Sequence, residues 1–336
     1  MLRFIDSFDH YSTAHLSQKY NSSFGTVSIA SGQGRNSTNA FSTLQANATI
    51  TKTLDNQATW VAGGAFRWAQ LVASGVIIEF VDNATAQVGV YLNNDGTLSV
   101  KRNGNLGTTL ATSSNSIFIA NWFYIELKAT VNNSGTYEVR VNGVIWISGS
   151  GDTQQSANAY ANRVSFGGAG SLGTGGYTDD IYVCDTTGSV NNNFLGDIRV
   201  EAVFPAANGT TIQWTVSGVA LNYQAIDEVT PNDETDFNFT TTSGFIDLFD
   251  FTNLTSISGI VYGLQTDIYV RKDDAGSRYL RRVIRRGGTN YEGSVVTSVL
   301  DNYSYSVEIA ETDPSTLVLW TITNINGAEF GYKSEG

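Results

Sequence analysis

The chain has 336 residues and a formal net charge of −12, from 19 Lys and Arg against 31 Asp and Glu. A field of that sign repels phosphate and excludes general nucleic-acid binding, and no apolar run approaches the roughly 18 residues that a membrane span needs. Only 15 % of residues are charged while 12 % are aromatic, a balance that fits half-buried strands joined by tight turns rather than a disordered chain. The length suits about two domains.

The segment Met1–Asp6 lacks the basic-then-apolar pattern of a secretion signal, so the expectation is synthesis in a cytoplasm and exit by lysis or within an assembly. Helical periodicity is scarce; the segment 245–251 fits a helical turn or a strand. The run 87–92 alternates, turns through Asn94-Asp95-Gly96, and alternates again over 97–101, which predicts a hairpin. Alternation over 122–129, 136–141 and 144–147, with turns at Asn132–Gly135 and Asn142-Gly143, predicts a three-stranded meander. A polar loop follows from Ser148 to about Asn162, then glycine-rich sequence to Gly176, then a buried strand over Tyr177–Cys184. Cys184 is the single cysteine, which rules out an intrachain disulfide and reads as a buried thiol. The stretch from Thr186 to Asn193 is the linker candidate. Beyond it, strands are expected near 198–204, 211–216, 259–271, 279–284, 303–309, 318–322 and 328–332. Repeated strands without intervening helices predict an all-β chain of antiparallel β-sandwiches, with domains at 1–192 and 193–336.

Four stretches carry a family likeness: Phe4-Ile5-Asp6-Ser7-Phe8-Asp9, the hairpin at Asp95-Gly96, Trp122–Leu127 running through Asn142-Gly143-Val144, and Asp179-Asp180-Ile181-Tyr182-Val183. By these, residues 1–190 resemble the concanavalin A-like, laminin-G-like jelly roll, which implies that the last of them returns to pair near the chain start. Asp197-Ile198-Arg199-Val200, Asp274–Arg278 and Asp313-Pro314 through Trp320 to Gly331 look like the C-terminal part of bacteriophage virion proteins that carry such a jelly roll. The resemblance implies a structural part of a phage particle, located in the virion. Its partners would be other virion proteins, above all the major capsid protein, and further copies of itself.

Catalysis carries residue requirements. Glycoside hydrolysis usually takes two carboxyls about 5–9.5 Å apart; Glu126 stands alone in its strand, and Asp179 and Asp180, being adjacent, face opposite sides of a strand. The two histidines, His10 and His15, lie near the N-terminus with no Gly-x-Ser-x-Gly elbow in the chain, and they are poor material for zinc. The expectation is therefore a non-enzyme without a cofactor. Calcium is the ion to consider, with Asp6, Asp9, Asp95, Asp179 and Asp180 as carboxylate candidates. Sugar binding needs an exposed aromatic: Trp60, Trp68, Trp122 and Trp146 are available, the latter two read as core, and Tyr160 in the polar loop is the better candidate for a surface glycan. Arg271, Lys272, Arg278, Arg281, Arg282, Arg285 and Arg286 gather seven cations in one stretch, fitting either internal ion pairs or docking to an acidic neighbouring subunit. The reading favoured by sequence is a capsid decoration or cement protein, with a tail appendage or a carbohydrate-binding module as the alternative.

Overall fold

A computed structural model describes residues 1–71, 74–170, 175–254, 259–294 and 296–335; part of the glycine-rich stretch, 171–174, lies outside them. The chain divides into two compact units, Met1–Val200 and Glu201–Gly336.

The first unit holds β1 (Leu2–Asp6), β2 (Ser22–Phe24), β3 (Val27–Ala30), β4 (Ala40–Thr43), β5 (Thr49–Gln57), β6 (Thr59–Trp68), β7 (Gly75–Asp82), β8 (Thr85–Leu92), β9 (Thr97–Arg102), β10 (Thr108–Ser116), β11 (Phe123–Thr130), β12 (Gly135–Val141), β13 (Val144–Gly151), β14 (Ala161–Gly167) and β15 (Gly176–Asp185). They form two antiparallel sheets, in the orders β13-β12-β11-β6-β15-β4-β3 and β10-β9-β8-β7-β14-β5-β2, with β1 beside β15 in the former. This is a jelly-roll sandwich. β15 does return to the chain start: Asp6 pairs with Ile181 and Leu2 with Cys184, whose thiol is buried. Alternation sets the faces. Along β12, Tyr137, Val139 and Val141 turn inward while Thr136, Glu138 and Arg140 turn out. Trp60, Trp68, Phe41, Phe66, Phe80 and Phe166 are fully buried, and the indoles of Trp60 and Trp68 donate to the carbonyls of Ala161 and Gly168. Both specified turns form as the sequence predicts, with Asn142 and Gly143 at φ 50° and 77° and Gly96 at φ 84°.

Residues 193–200 belong to the first unit. Glu126, fully buried on the outer side of β11, accepts from the Tyr182 hydroxyl and from the Gly196 N–H, while Val200 N–H donates to Asp180. Gly63 makes room for this layer: a methyl there would stand 2.5 Å from the Tyr182 ring. The strand expected over 198–204 is not formed.

The second unit holds β16 (Pro205–Ile212), β17 (Thr215–Ser217), β18 (Phe237–Phe239), β19 (Ile246–Phe251), β20 (Leu264–Val270), β21 (Tyr279–Arg286), β22 (Thr289–Glu292), β23 (Thr297–Ser298), β24 (Ser304–Ala310) and β25 (Glu329–Glu335). One sheet runs β16-β19-β25-β21-β22 with β23 beside β21, and two-stranded ribbons form from β17 with β18 and β20 with β24. It too is sandwich-like and antiparallel. The ambiguous 245–251 segment is a strand. The strand expected over 318–322 is not formed: the buried carboxylate of Asp313 accepts from the Ser315 N–H, Arg286 and Asn324 and folds 313–319 into a tight loop, after which Ile322–Asn326 is a short helix.

Candidate functional site

The outer face of the second sheet of the first unit carries a polar row that crosses five strands. Thr51 pairs with Ser165, Ser165 with Glu79, Glu79 with Gly89, and Gly89 with Lys101. Directly paired residues share a face, and their inward neighbours, Ile50, Val164, Phe166, Ile78, Phe80, Val88, Val90 and Val100, are fully buried core. Arg163, two residues before Ser165 on β14, lies on the same outer side.

At the centre, the Tyr91 hydroxyl donates to Glu79. It can do so because Gly89 lies between them: a methyl there would stand 2.9 Å from the Tyr91 hydroxyl oxygen. Lys101 Nζ lies 5.6 Å from the Tyr91 ring centroid and donates to the Asn105 carbonyl at 2.8 Å. Burial shifts all three groups against their charged forms. It raises the Glu79 carboxyl and lowers the Lys101 ammonium, and burial together with the Glu79 charge holds the Tyr91 phenol well above its usual value. The Nε of Arg163 is buried without a hydrogen-bond partner among the described residues.

A roof covers part of this face. The β9–β10 turn leaves the sheet at the end where β7 finishes, since Arg102 and Phe80 both pair with Val88; Ser74 stands at the end where β7 begins. Yet Asn105 of that turn donates to the Ser74 carbonyl at 2.8 Å and to Asn47 Oδ1 at 2.9 Å, and Ser74 Oγ donates back to Asn105 at 2.8 Å. The two segments therefore meet above the sheet, and Tyr91 is fully buried beneath them. The arrangement supplies an amine and a guanidinium, neither with a carboxylate partner among the described residues, on one sheet face. It can bind an anion.

The residues singled out by sequence fall elsewhere. Tyr160 is half-buried, and its loop is stapled rather than free: the fully buried amide of Gln87, two residues before Gly89 on β8, donates to the carbonyls of Tyr160 and Asn158 and accepts from Gln155 and Ser156. Trp60 and Trp68 are core. Trp122, expected in the core, is only partly buried; the Arg67 guanidinium sits 5.0 Å from its ring and 4.8 Å from that of Tyr177, forming a second, half-buried stripe. Trp146 is half-buried on β13.

The calcium candidates are scattered among other partners. Asp6 takes Lys19, Tyr11 and Tyr20, Asp95 caps its own turn at Thr97, and Asp9 accepts from Asn39. Arg35 joins Asp179 through its N–H and Asp180 and Asp197 through its guanidinium. Among the described residues no group of three or more His, Cys, Asp or Glu has metal-holding geometry. Burial, and for Asp179 the neighbouring Asp180 charge, pushes both of these carboxyls up. His10 contacts Lys19 at 2.8 Å, and His15 is buried against Ser12 at 2.9 Å.

The basic stretch is engaged within its own unit. Arg271 binds Glu234, Lys272 Asp301, Arg278 Asp274, Arg281 Glu335, Arg282 Glu308 and Arg286 Asp313, while Arg285 donates to Asn290.

The row of Glu79, Tyr91, Lys101 and Arg163 escaped sequence reasoning. Its one signal is Glu79 itself, a lone carboxylate inside the apolar run Gly75-Val76-Ile77-Ile78-Glu79-Phe80-Val81.

No protein-family model matches this sequence, and no curated protein matches it. Among solved structures the chain is similar to an endo-β-1,4-glucuronan lyase from the fungus Trichoderma reesei (15 % identity, 55 % of this chain and 95 % of that one, TM-score 0.42). It is also similar to an alginate lyase (12 % identity, 59 % and 95 %, TM-score 0.37) and to a marine alginate lyase from Aplysia kurodai (9 % identity, 48 % and 88 %, TM-score 0.38). These similar structures are enzymes, and the expectation that the chain is a non-enzyme is corrected accordingly. At these identities the likeness is one of fold and assigns no activity.

Proposed function

We propose that this chain is a bacteriophage virion component whose jelly-roll unit recognises a glycan on the outer face of its second sheet. The observation that carries the glycan reading is the polar row itself: Thr51, Ser165, Glu79 and Lys101 stand side by side on a rigid sheet, with Arg163 beside them and neutral loop amides above. Hydroxyls, an amine, a guanidinium and amides converging on one face are the groups that hold a sugar by hydrogen bonds. The particle reading is supported by the sequence resemblance, which spans both units. Glycan-array binding of the full chain tests the proposal, with each bound glycan then followed for an unsaturated uronate product by its ultraviolet absorbance. Selective binding that Ser165→Trp abolishes is expected. A chain that binds no glycan on the array contradicts the reading.

A capsid-decorating position is a second reading, favoured by Leu317 and Val318. They are 77 % and 60 % exposed at the tip of the loop that buried Asp313 holds, with Leu317 in the left-handed region at φ 60°. Exposed apolar side chains on a rigid, strained loop fit a contact with a lattice neighbour. Immunogold labelling of intact particles with an antibody against residues 197–336 decides it: label over the head supports decoration, and label confined to the tail removes it.

A further inference from the structure

We propose that the glycan taken by this face is acidic, and that Arg163 and Lys101 each receive a carboxylate from different sugars of one chain. The inference rests on the glycan reading and adds the chemical class of ligand.

Arg163 carries the first part. Its Nε–H is hidden from water and meets no acceptor among the described residues. A buried unbonded donor is costly, and no carboxylate of the described residues lies within ion-pair distance of this guanidinium, although the chain has an excess of acids. Arg163 as a whole is only partly buried, so a carboxylate arriving from outside reaches its terminal nitrogens, and turning the side chain outward lets Nε join through the two parallel bonds that the planar fork favours.

Lys101 carries the second part. Its ammonium donates only to neutral oxygens of Asn105, at 2.8 and 3.3 Å, and is likewise without a carboxylate partner. Glu79, the nearest acid in the row, is turned to Tyr91 instead. Three strand spacings of about 4.8 Å separate β14 from β9, and Arg163 lies two residues along β14 from the row that holds Lys101, so the two backbone positions stand roughly 16 Å apart. One sugar does not bridge that gap, whereas a short chain lying across the strands does. The hydroxyls of Thr51 and Ser165, buried and 2.8 Å from each other, form the floor of the row beside Arg163. The Asn105 roof is made of neutral side chains and repels no anion.

Calorimetric titration of the full chain with an oligoglucuronate, and with a neutral oligoglucose of the same length, tests this. The wild-type chain is expected to bind the acidic chain and to lose affinity as salt rises. Arg163→Gln and Lys101→Gln should each weaken it about tenfold or more, as for a charge-assisted hydrogen bond, with unchanged melting temperatures. Arg163→Lys should restore only part of the loss. Equal or tighter binding of the neutral chain overturns the acidic class while leaving the glycan reading intact. Acidic binding that both variants retain overturns the two named residues. Binding of neither chain overturns the inference together with the glycan reading.

Discussion

In the first unit, Trp60, Trp68, Phe66, Phe80 and Phe166 disappear between two broad sheets, and buried charges such as Asp6, Lys19 and Glu126 are held by specific partners. In the second, the buried apolar set is small: Phe249, Leu280, Val299 and Tyr332 in one cluster and Ile284, Trp320, Ile325, Ala328 and Phe330 in another, with half-buried Phe251 packed on both. There the arginines of β21 reach the acids of distant strands and loops, Glu335, Glu308 and Asp313. Arginine therefore serves as a strut, tying separate segments together in both units. In the first unit Arg3, Arg35, Arg102 and Arg140 are ion-paired as well, and Arg163 departs from that role by having no carboxylate partner among the described residues.

The largest expected effect breaks the first unit. Trp60→Ala should cost about 4 kcal/mol, as for a fully buried aromatic truncation, read from the denaturant midpoint. Next comes the strut. Arg282→Ala strands the nearly buried Glu308 and should cost about 3 kcal/mol, whereas Arg282→Met with Glu308→Leu should recover most of it; a double variant as weak as the single one would show that these arginines are not struts.

A third prediction concerns pH. Folding raises the Asp179 and Asp180 carboxyls, chiefly by burial, with Asp180 acting on Asp179 and Asp9 on both against the opposing pull of Arg35. The folded state then holds protons that the unfolded state has released. Stability from this pair is present at acidic pH, and falls as pH rises from the ordinary carboxylate range through neutrality, by about 1.4 kcal/mol for each unit of displacement. Asp179→Asn should flatten that slope, measured as melting temperature against pH. The smallest effect belongs to Arg278→Ala, whose pair with Asp274 is well exposed and should matter by less than about 0.5 kcal/mol.

Sequence made the architecture legible where turns are chemically specified. Asp95-Gly96 and Asn142-Gly143 fix two hairpins because positive φ is cheap there, and alternation then assigns every face. It misled at 318–322, where Leu317, Val318 and Leu319 look like a strand but a buried acid bends the chain. The basic stretch was visible as a stretch, but its partners lie up to 54 residues away and no local pattern names them. The candidate site was hidden for the same reason. Glu79, Tyr91, Lys101 and Arg163 are single polar residues on four strands, joined only by register, and a one-residue shift in any strand would turn its member into the core.

The central claim is that the outer face of the second sheet is where the first unit meets its ligand. The structure of the full chain crystallised with an oligoglucuronate tests it most directly. The account predicts sugar along the Ser165–Glu79–Gly89–Lys101 row, a carboxylate on Arg163, and Asn105 withdrawn from Ser74. Sugar on the Trp122–Arg67–Tyr177 stripe instead, with the Asn105 roof closed, would contradict it.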